Sequence, residues 1–287
     1  MSPTWPQIVL LALLQGAAEL LPVSSSAHVI LAEKLMGLDP SQPELTFLLV
    51  MLHTGTMFAV IVYFWKAWQE SYFSSFARFL SILPSVVIAT GITGILGLGL
   101  KMLIEKIILG GGAKAEVEQL FSNLVLVGGA LDAAGLLIIF SGLFTKDWTE
   151  DKEVSLPASA LVGVVQAFCL PFRGFSRSGA TISTAMLLGI GKRRAEEYSF
   201  ALAVILTPVV DVYELHRLLK VNAMASQPVH LTSLLFPGII GMLCSFLAGL
   251  LALRLLSSWL ETGRWHYFGY YCLALAAVVF AFAFAGY

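Results

Sequence analysis

Apolar residues run almost unbroken through six stretches of the chain, 45–65, 79–100, 120–144, 198–215, 231–253 and 265–287; Asp132 interrupts the third, and Asp211 and Glu214 the fourth. A bilayer core about 30 Å thick is crossed by roughly 20 mostly apolar helical residues, so each stretch predicts a membrane span. Between them lie the charged or glycine-rich loops 66–78, 101–119, 145–156, 191–197, 216–230 and 254–264.

Two further apolar regions, 5–37 and 157–190, are broken in the middle by Pro, Ser and Gly, in LLPVSSSAH and LPFRGFSRSGAT. Each half is only about 14–17 residues, too short to cross alone. Irregular backbone at membrane depth is tolerated where protein or a water-filled cavity shields it. Each region therefore reads as a re-entrant helix pair with its broken tip inside the protein, the alternative being one long kinked span. No Lys or Arg precedes Lys34, so the basic opening of a signal peptide is missing.

A shift of 152 residues aligns Ser24-Ser25-Ser26-Ala27-His28-Val29-Ile30 with Ser176-Arg177-Ser178-Gly179-Ala180-Thr181-Ile182, and Leu35-Met36-Gly37 with Leu187-Leu188-Gly189. The chain is thus expected to be one membrane domain of two repeats, 1–150 and 151–287, each a re-entrant pair followed by three spans. A re-entrant pair returns to its own side, so each half crosses an odd number of times and the second is inverted. The expected fold is an all-α polytopic membrane protein, six transmembrane helices and two re-entrant pairs in an inverted-topology repeat, the plan of many secondary transporters. Loops 66–78, 145–156, 191–197 and 254–264 carry nine Lys and Arg, including Lys192-Arg193-Arg194, against six on the other side. The positive-inside rule then puts both termini outside.

Composition agrees: 58% of the 287 residues are hydrophobic and 12% charged, far from a soluble globule. Seventeen Lys and Arg against eighteen Asp and Glu leave no basic surplus for a nucleic-acid backbone, so no nucleic-acid partner is expected. Cys169, Cys244 and Cys272 lie far apart in apolar sequence and read as lipid- or core-facing fillers. Trp65, Trp68, Trp265, Tyr267, Tyr270 and Tyr271 read as an interfacial belt.

The chemistry gathers at the two breaks. Gln15 and Glu19, four apart, share a helix face; Pro22 ends that helix, Ser24 can cap the next, and Ser25 and His28 share its first turns. At the second break Pro171 and Gly174 interrupt the chain, Ser176 can cap, and Arg177, Ser178 and Gly179 follow. Two helix N-termini then face one space, an anion site by dipole and free N–H groups, to which Arg177 adds a two-armed fork. Intramembrane Glu19 and Arg177 each cost about 2.5–3.5 kcal/mol on insertion scales, which makes them functional candidates. A plain Glu19–Arg177 clamp between the halves, and serines that only satisfy backbone carbonyls, are the bland alternatives. For Asp132, Asp211, Glu214 and His53 structural or water-cavity roles are expected.

QGAAELLPVSSSAH (15–28) and RGFSRSGATIS (173–183) resemble the two signature segments of the bacterial undecaprenyl-diphosphate phosphatase family, also called bacitracin-resistance proteins, and the likeness in length, span pattern and repeat covers nearly the whole chain. The resemblance implies hydrolysis of undecaprenyl diphosphate to the monophosphate, recycling the lipid carrier of cell-wall synthesis, with a divalent cation, Mg2+ or Ca2+. It also implies a multi-pass protein of the bacterial cytoplasmic (inner) membrane whose site faces the periplasmic or outer side. Position by position, Glu19 matches the second acid of the first motif, Ser25 and His28 its serine and histidine, and Ser176, Arg177 and Thr181 the polar positions of the second. Gln15 stands where many relatives have Glu, and Arg173 where the second motif usually has Pro. The membrane phosphatases related to phosphatidic-acid phosphatases need a histidine six residues after the arginine of their SR motif; here that residue is Ser183.

The expected site is thus Ser25 as nucleophile, His28 as base, and Glu19 and Arg177 on the reacting groups. Glu19, helped by Gln15, would hold the metal, and Ser24, Ser26, Arg173, Gly174, Ser176, Ser178, Gly179 and Thr181 the substrate. A metal-activated water, with Ser25 only positioning the phosphate, is the runner-up. The expected partners are a polyprenyl diphosphate and membrane lipid, with a homodimer left open. The competing class is a transporter or lipid flippase with the same inverted-repeat anion site.

Overall fold

The computed structural model describes residues 3–39, 42–108, 123–145, 153–224 and 231–285. The described residues form ten α-helices: α1 (Trp5–Leu20), α2 (Ser25–Leu35), α3 (Pro43–Ser71), α4 (Phe76–Leu103), α5 (Leu124–Phe144), α6 (Leu156–Cys169), α7 (Arg177–Leu187), α8 (Lys192–Met224), α9 (Leu231–Glu261) and α10 (His266–Phe284). A π-helical turn, Ile104–Ile108, extends α4. Helices α3, α4, α5, α8, α9 and α10 are long and apolar enough to cross a membrane, and they correspond to the six predicted runs. The start of the third run, the end of the sixth, parts of loops 101–119, 145–156 and 216–230, and the division at 150 lie outside the described residues.

The two broken regions fold as short helix pairs, α1 with α2 and α6 with α7, and their ends reproduce the 152-residue shift. Ser24 caps α2 by accepting from the Ala27 backbone N–H at 3.5 Å, and Ser176 caps α7 by accepting from Gly179 N–H at 3.3 Å. At the far ends Gly37 and Gly189 both take left-handed φ, +66° and +82°. Behind them Leu38 N–H reaches Glu33 O at 2.9 Å and Ile190 N–H reaches Ala185 O at 3.1 Å, the six-to-one bond of a Schellman stop. The two starts differ in one respect: Ser24 sits at φ +63°, the one non-glycine residue with positive φ among the described residues. An L side chain there is strained, and the sharp turn it makes aims Ser25 back toward α1.

Membrane helices gain no hydrophobic force from lipid-like surroundings, so their association rests on close packing and interhelical hydrogen bonds. α1 lies against α9 at Gly16, where an added Cβ would stand 2.5 Å from Ser245 O. Ser245 donates to Leu52 O at 2.8 Å, which locks α9 to α3 on the same level. In the other half α6 lies against α4: Thr93 donates to Gly163 O at 3.1 Å and Gln166 Nε2 donates to Thr93 Oγ1 at 3.1 Å. The contacts α1 with α9 and α6 with α4 occupy corresponding places in the two halves, while α5 pairs with its counterpart α10 and α3 with α8.

Two expected belt residues turn inward instead. Trp68 is buried and donates to Glu197 O at 3.2 Å; Trp265 is buried and donates to Ser141 and Ser183 Oγ at 3.1 Å each. In each case a buried polar atom within reach of the indole N–H outweighs the interface preference.

Gly16 carries α1, and α1 carries Gln15 and Glu19. Gly16→Val is therefore expected to lower the thermal unfolding midpoint in detergent, with an overpacking cost of about 1–3 kcal/mol, while Leu13→Ala on the exposed face of α1 leaves it unchanged.

Candidate active site

The two broken tips meet around a cavity of about 220 Å³, walled by α1, α2, α3, α8, the α6–α7 connection and the start of α7. Its floor is Glu19. One carboxylate oxygen, Oε1, accepts from Arg177 Nη2 at 2.9 Å. The other, Oε2, accepts from the Ser25 hydroxyl at 2.5 Å and from Gln15 Nε2 at 3.2 Å. Residues from both halves thus converge on one carboxylate, each brought there by a local cause: the four-residue step along α1, the strained turn at Ser24, and the first helical position after the Ser176 cap. Among the described residues Arg177 Nη1 is buried with no hydrogen-bond partner. An orphaned guanidinium N–H is costly unless a ligand uses it, and this one belongs to a side chain that lines the cavity.

Ser24, Ser25, Ser26, Arg173, Gly174, Ser176 and Arg177 all line the cavity. Gly174 has φ +109°, and a Cβ there would stand 2.3 Å from Val127 O, so the connection can pass α5 only with glycine. Arg173, in the place where Pro was expected, lines the cavity and interacts electrostatically with Glu33.

Four expected site residues are placed otherwise. Ser178, Gly179 and Thr181 do not line the cavity and work as fasteners: Ser178 donates to Leu21 O at 3.2 Å, Gly179 N–H caps onto Ser176, and Thr181 donates to Arg177 O at 2.8 Å and bonds Ser199 Oγ at 2.6 Å. Only the first turn of α7 reaches the cavity, and the later turns are packed between neighbouring helices. His28 does not meet Ser25. Its Nδ1 bonds Ser24 O at 2.8 Å, and since a carbonyl can only accept, Nδ1 carries the proton; Nε2 of the neutral ring then accepts from Tyr271 O–H at 2.7 Å. The ring lies parallel to Tyr271, centroids 5.7 Å apart, and lines a separate groove beside α1, not the cavity that holds Glu19. Three residues along a helix put two side chains on neighbouring, not identical, bearings, and the Ser24 carbonyl and Tyr271 draw the imidazole away.

Conversely, His53 and Asp211, for which structural or water-cavity roles were expected, line the same cavity. His53 Nε2 lies 3.8 Å from Glu19 Oε2 and its Nδ1 3.9 Å from Asp211 Oδ1, while Thr54 donates to Asp211 Oδ2 at 3.5 Å. Their signal was present, since ionisable residues inside spans face cavities by default, but the sequence shows no local partner for either. Asp132 and Glu214 are not among the lining residues. Cys169, expected as a filler, also lines the cavity, whereas Cys272 is buried and donates to Pro22 O at 3.3 Å.

Among the described residues no three His, Cys, Asp or Glu side chains converge to hold a metal ion. Both Glu19 oxygens are taken by protein donors, and Gln15 presents its amide nitrogen to them. The residues as arranged do not form the oxygen cage, about six ligands, that Mg2+ or Ca2+ takes.

An all-helical membrane protein whose two broken helix pairs bring a hydroxyl, a carboxylate and a half-unpaired guanidinium together at two helix N-termini defines a class, the intramembrane proteins that handle a phosphate-like anion. Residues 8–278 match the family model described as bacitracin resistance protein BacA, and the chain belongs to that family. It is 58% identical to undecaprenyl-diphosphatase 2 of Acinetobacter baylyi, over 96% of this chain and 97% of that one. It is 31% identical to an undecaprenyl-diphosphatase of Korarchaeum cryptofilum (95% and 97%) and 33% identical to one of Christiangramia forsetii (96% and 97%).

The His28–Tyr271 bond ties the first tip to α10. Tyr271→Phe is expected to cost about 0.5–1.5 kcal/mol, read as a lower thermal midpoint in detergent, and to leave the His28→Ala variant no less stable when the two are combined.

Proposed function

We propose that this protein is an undecaprenyl-diphosphate phosphatase, releasing inorganic phosphate and undecaprenyl phosphate and so recycling the lipid carrier of cell-wall synthesis; depletion of the diphosphate would protect the cell from bacitracin. The family match and the relatives' names support the reaction. The observation that carries the site is the Ser25 hydroxyl donating at 2.5 Å to a carboxylate that Arg177 holds from its other side. That is the nucleophile–base arrangement of covalent catalysis, with Glu19 in the role that His28 was expected to fill.

In this mechanism the terminal phosphate lies over Ser25 against the free arm of Arg177 and the first-turn N–H groups of α2 and α7. Ser25 Oγ attacks the terminal phosphorus as its proton passes to Glu19, and the bond to the bridging oxygen breaks. The departing undecaprenyl phosphate is already a stable anion, its second pKa near 6, so it needs charge stabilisation more than a proton. Water then attacks the Ser25 phosphate and the phosphorus–Oγ bond breaks: Glu19 returns its proton to Ser25 Oγ, which restores the serine and the carboxylate, and the water oxygen leaves with its protons as part of the released inorganic phosphate. His28 is a positioning residue here: by holding the Ser24 carbonyl it fixes the turn that aims Ser25. No step is routed through a cation. The requirement for Mg2+ or Ca2+ that the family resemblance implies stands as a separate proposal, checked by phosphate release with and without chelator. The proposed setting is the cytoplasmic membrane, with the two halves inverted and the cavity opening to the outer side; the basic run Lys192-Arg193-Arg194 at the start of α8 supports that orientation.

Ser25→Ala and Arg177→Ala are each expected to lower phosphate release from undecaprenyl diphosphate by about 10²–10³, the size of losing one group that acts on the transition state. An acid-quenched reaction is expected to yield a phosphopeptide containing Ser25. A Ser25→Ala enzyme that keeps more than about a tenth of the rate would transfer the nucleophile's role to water.

A further inference from the structure

A headgroup cavity for a polyprenyl diphosphate must open sideways, because the diphosphate is covalently joined to a chain that belongs in lipid. The cavity walls are not alike. Glu19, Ser25, His53 and Arg177 stand on α1, α2, α3 and α7, whereas α8 and the α6–α7 connection carry, beside the polar Arg173, Ser176, Thr207 and Asp211, the apolar group Leu170, Phe172, Ala203, Leu206 and Val210. Leu170 and Val210 line the cavity and are 37% and 36% exposed, so neither is sealed behind other side chains.

Beyond that wall stands α4, and α8 touches it sparsely. The pair that corresponds to it under the repeat, α3 and α9, packs closely. α4 and α8 are instead tied at two levels. Tyr198 O–H donates to Ser85 O at 2.8 Å, and Lys101 Nζ donates to Tyr213 O–H oxygen at 3.0 Å, with the ammonium 5.1 Å from the ring centre. Fifteen helical residues separate Tyr198 from Tyr213, about 22 Å at 1.5 Å per residue, and the sixteen from Ser85 to Lys101 on α4 match that span. Between the two ties the gap is met by Leu170, whose Cδ1 lies 2.6 Å from where a Cβ on Gly97 would be.

Resting on the phosphatase reading above, we propose that this framed window between α4 and α8 is the lateral portal through which the isoprenoid tail leaves the headgroup cavity, with Leu170, Leu206 and Val210 as its sill. The competing outlet is a larger apolar groove of about 760 Å³ on the opposite flank of α1, lined by Leu14, Trp259, Tyr267 and Tyr271 among others. That groove and the cavity share Ala18 of α1 as a wall residue, and α1 there is seated on α9 at Gly16 with the His28–Tyr271 bond closing the tip beside it. Passage to that groove displaces α1, which carries Glu19, whereas passage through the window moves flexible Leu and Val side chains.

The test uses the full-length wild-type protein in detergent and a farnesyl diphosphate analogue carrying a benzophenone at the end of its chain. Phosphate release from the analogue is measured first, and the adducts are then mapped by mass spectrometry after irradiation. Adducts within 85–101 and 198–213 are the expected result, together with a rise of about tenfold in KM for undecaprenyl diphosphate in Leu206→Trp. Adducts at Leu14, Trp259 or Tyr267, with the analogue still hydrolysed, overturn the portal and leave the phosphatase reading intact. An unchanged KM in folded Leu206→Trp also overturns it. Failure of the wild-type protein to hydrolyse either the analogue or undecaprenyl diphosphate overturns the phosphatase reading and the portal with it.

Discussion

Everything near the cavity hangs on the ion pair between Glu19 and Arg177, whose residues stand 158 positions apart in the chain and whose side chains are each 18% exposed. Neither charge could stay at that depth alone: removing one partner of a buried pair costs about 3–5 kcal/mol, because the other is left uncompensated. The pair therefore forces the two broken tips to meet, and the other contacts there fit around it. Ser178 fastens the second tip to the backbone of the first, Gly179 makes room for Pro22, and Ser25 and Gln15 complete the carboxylate's shell. A structural clamp and a catalytic centre are the same object here. The clamp leaves Arg177 Nη1 unused, and this spare donor separates a site awaiting an anion from a completed salt bridge.

What could be read in advance followed the range of the forces involved. The spans, the two breaks and the Ser24 and Ser176 caps depend on local sequence: apolar length, proline, and a hydroxyl placed before a helical turn. They were legible, as was the repeat that aligned Gly37 with Gly189 before both proved to be left-handed helix stops. The placement of His28 was not legible, because its ring is held by Tyr271, 243 residues away, and no spacing within α2 reports that partner. Thr181 sat inside a motif but one turn too deep. His53 and Asp211 lie on different spans, 158 residues apart, and only the pairing of α3 with α8 brings them to one cavity. Trp68 and Trp265 carry the same lesson, since each found a buried acceptor contributed by another helix.

The 152-residue repeat makes the two halves comparable, and the differences between them carry the function. The capped, glycine-stopped helices α2 and α7 are built alike, yet one tip supplies the hydroxyl and carboxylate and the other the guanidinium. The outer helices diverge in the same way. α9 is drawn onto α3 by Ser245 and by glycines that admit the neighbouring backbone, which seals that flank. Among the described residues α8 meets α4 sparsely, tied at Tyr198–Ser85 and Tyr213–Lys101. A membrane enzyme acting on a lipid must hold a charged group away from lipid while keeping the apolar remainder in it. A strictly symmetric repeat would seal both flanks or open both. Unequal packing of equivalent helices meets the two demands with one fold, gathering the charged groups where the tips meet and leaving Leu170, Leu206 and Val210 where α4 and α8 stand apart.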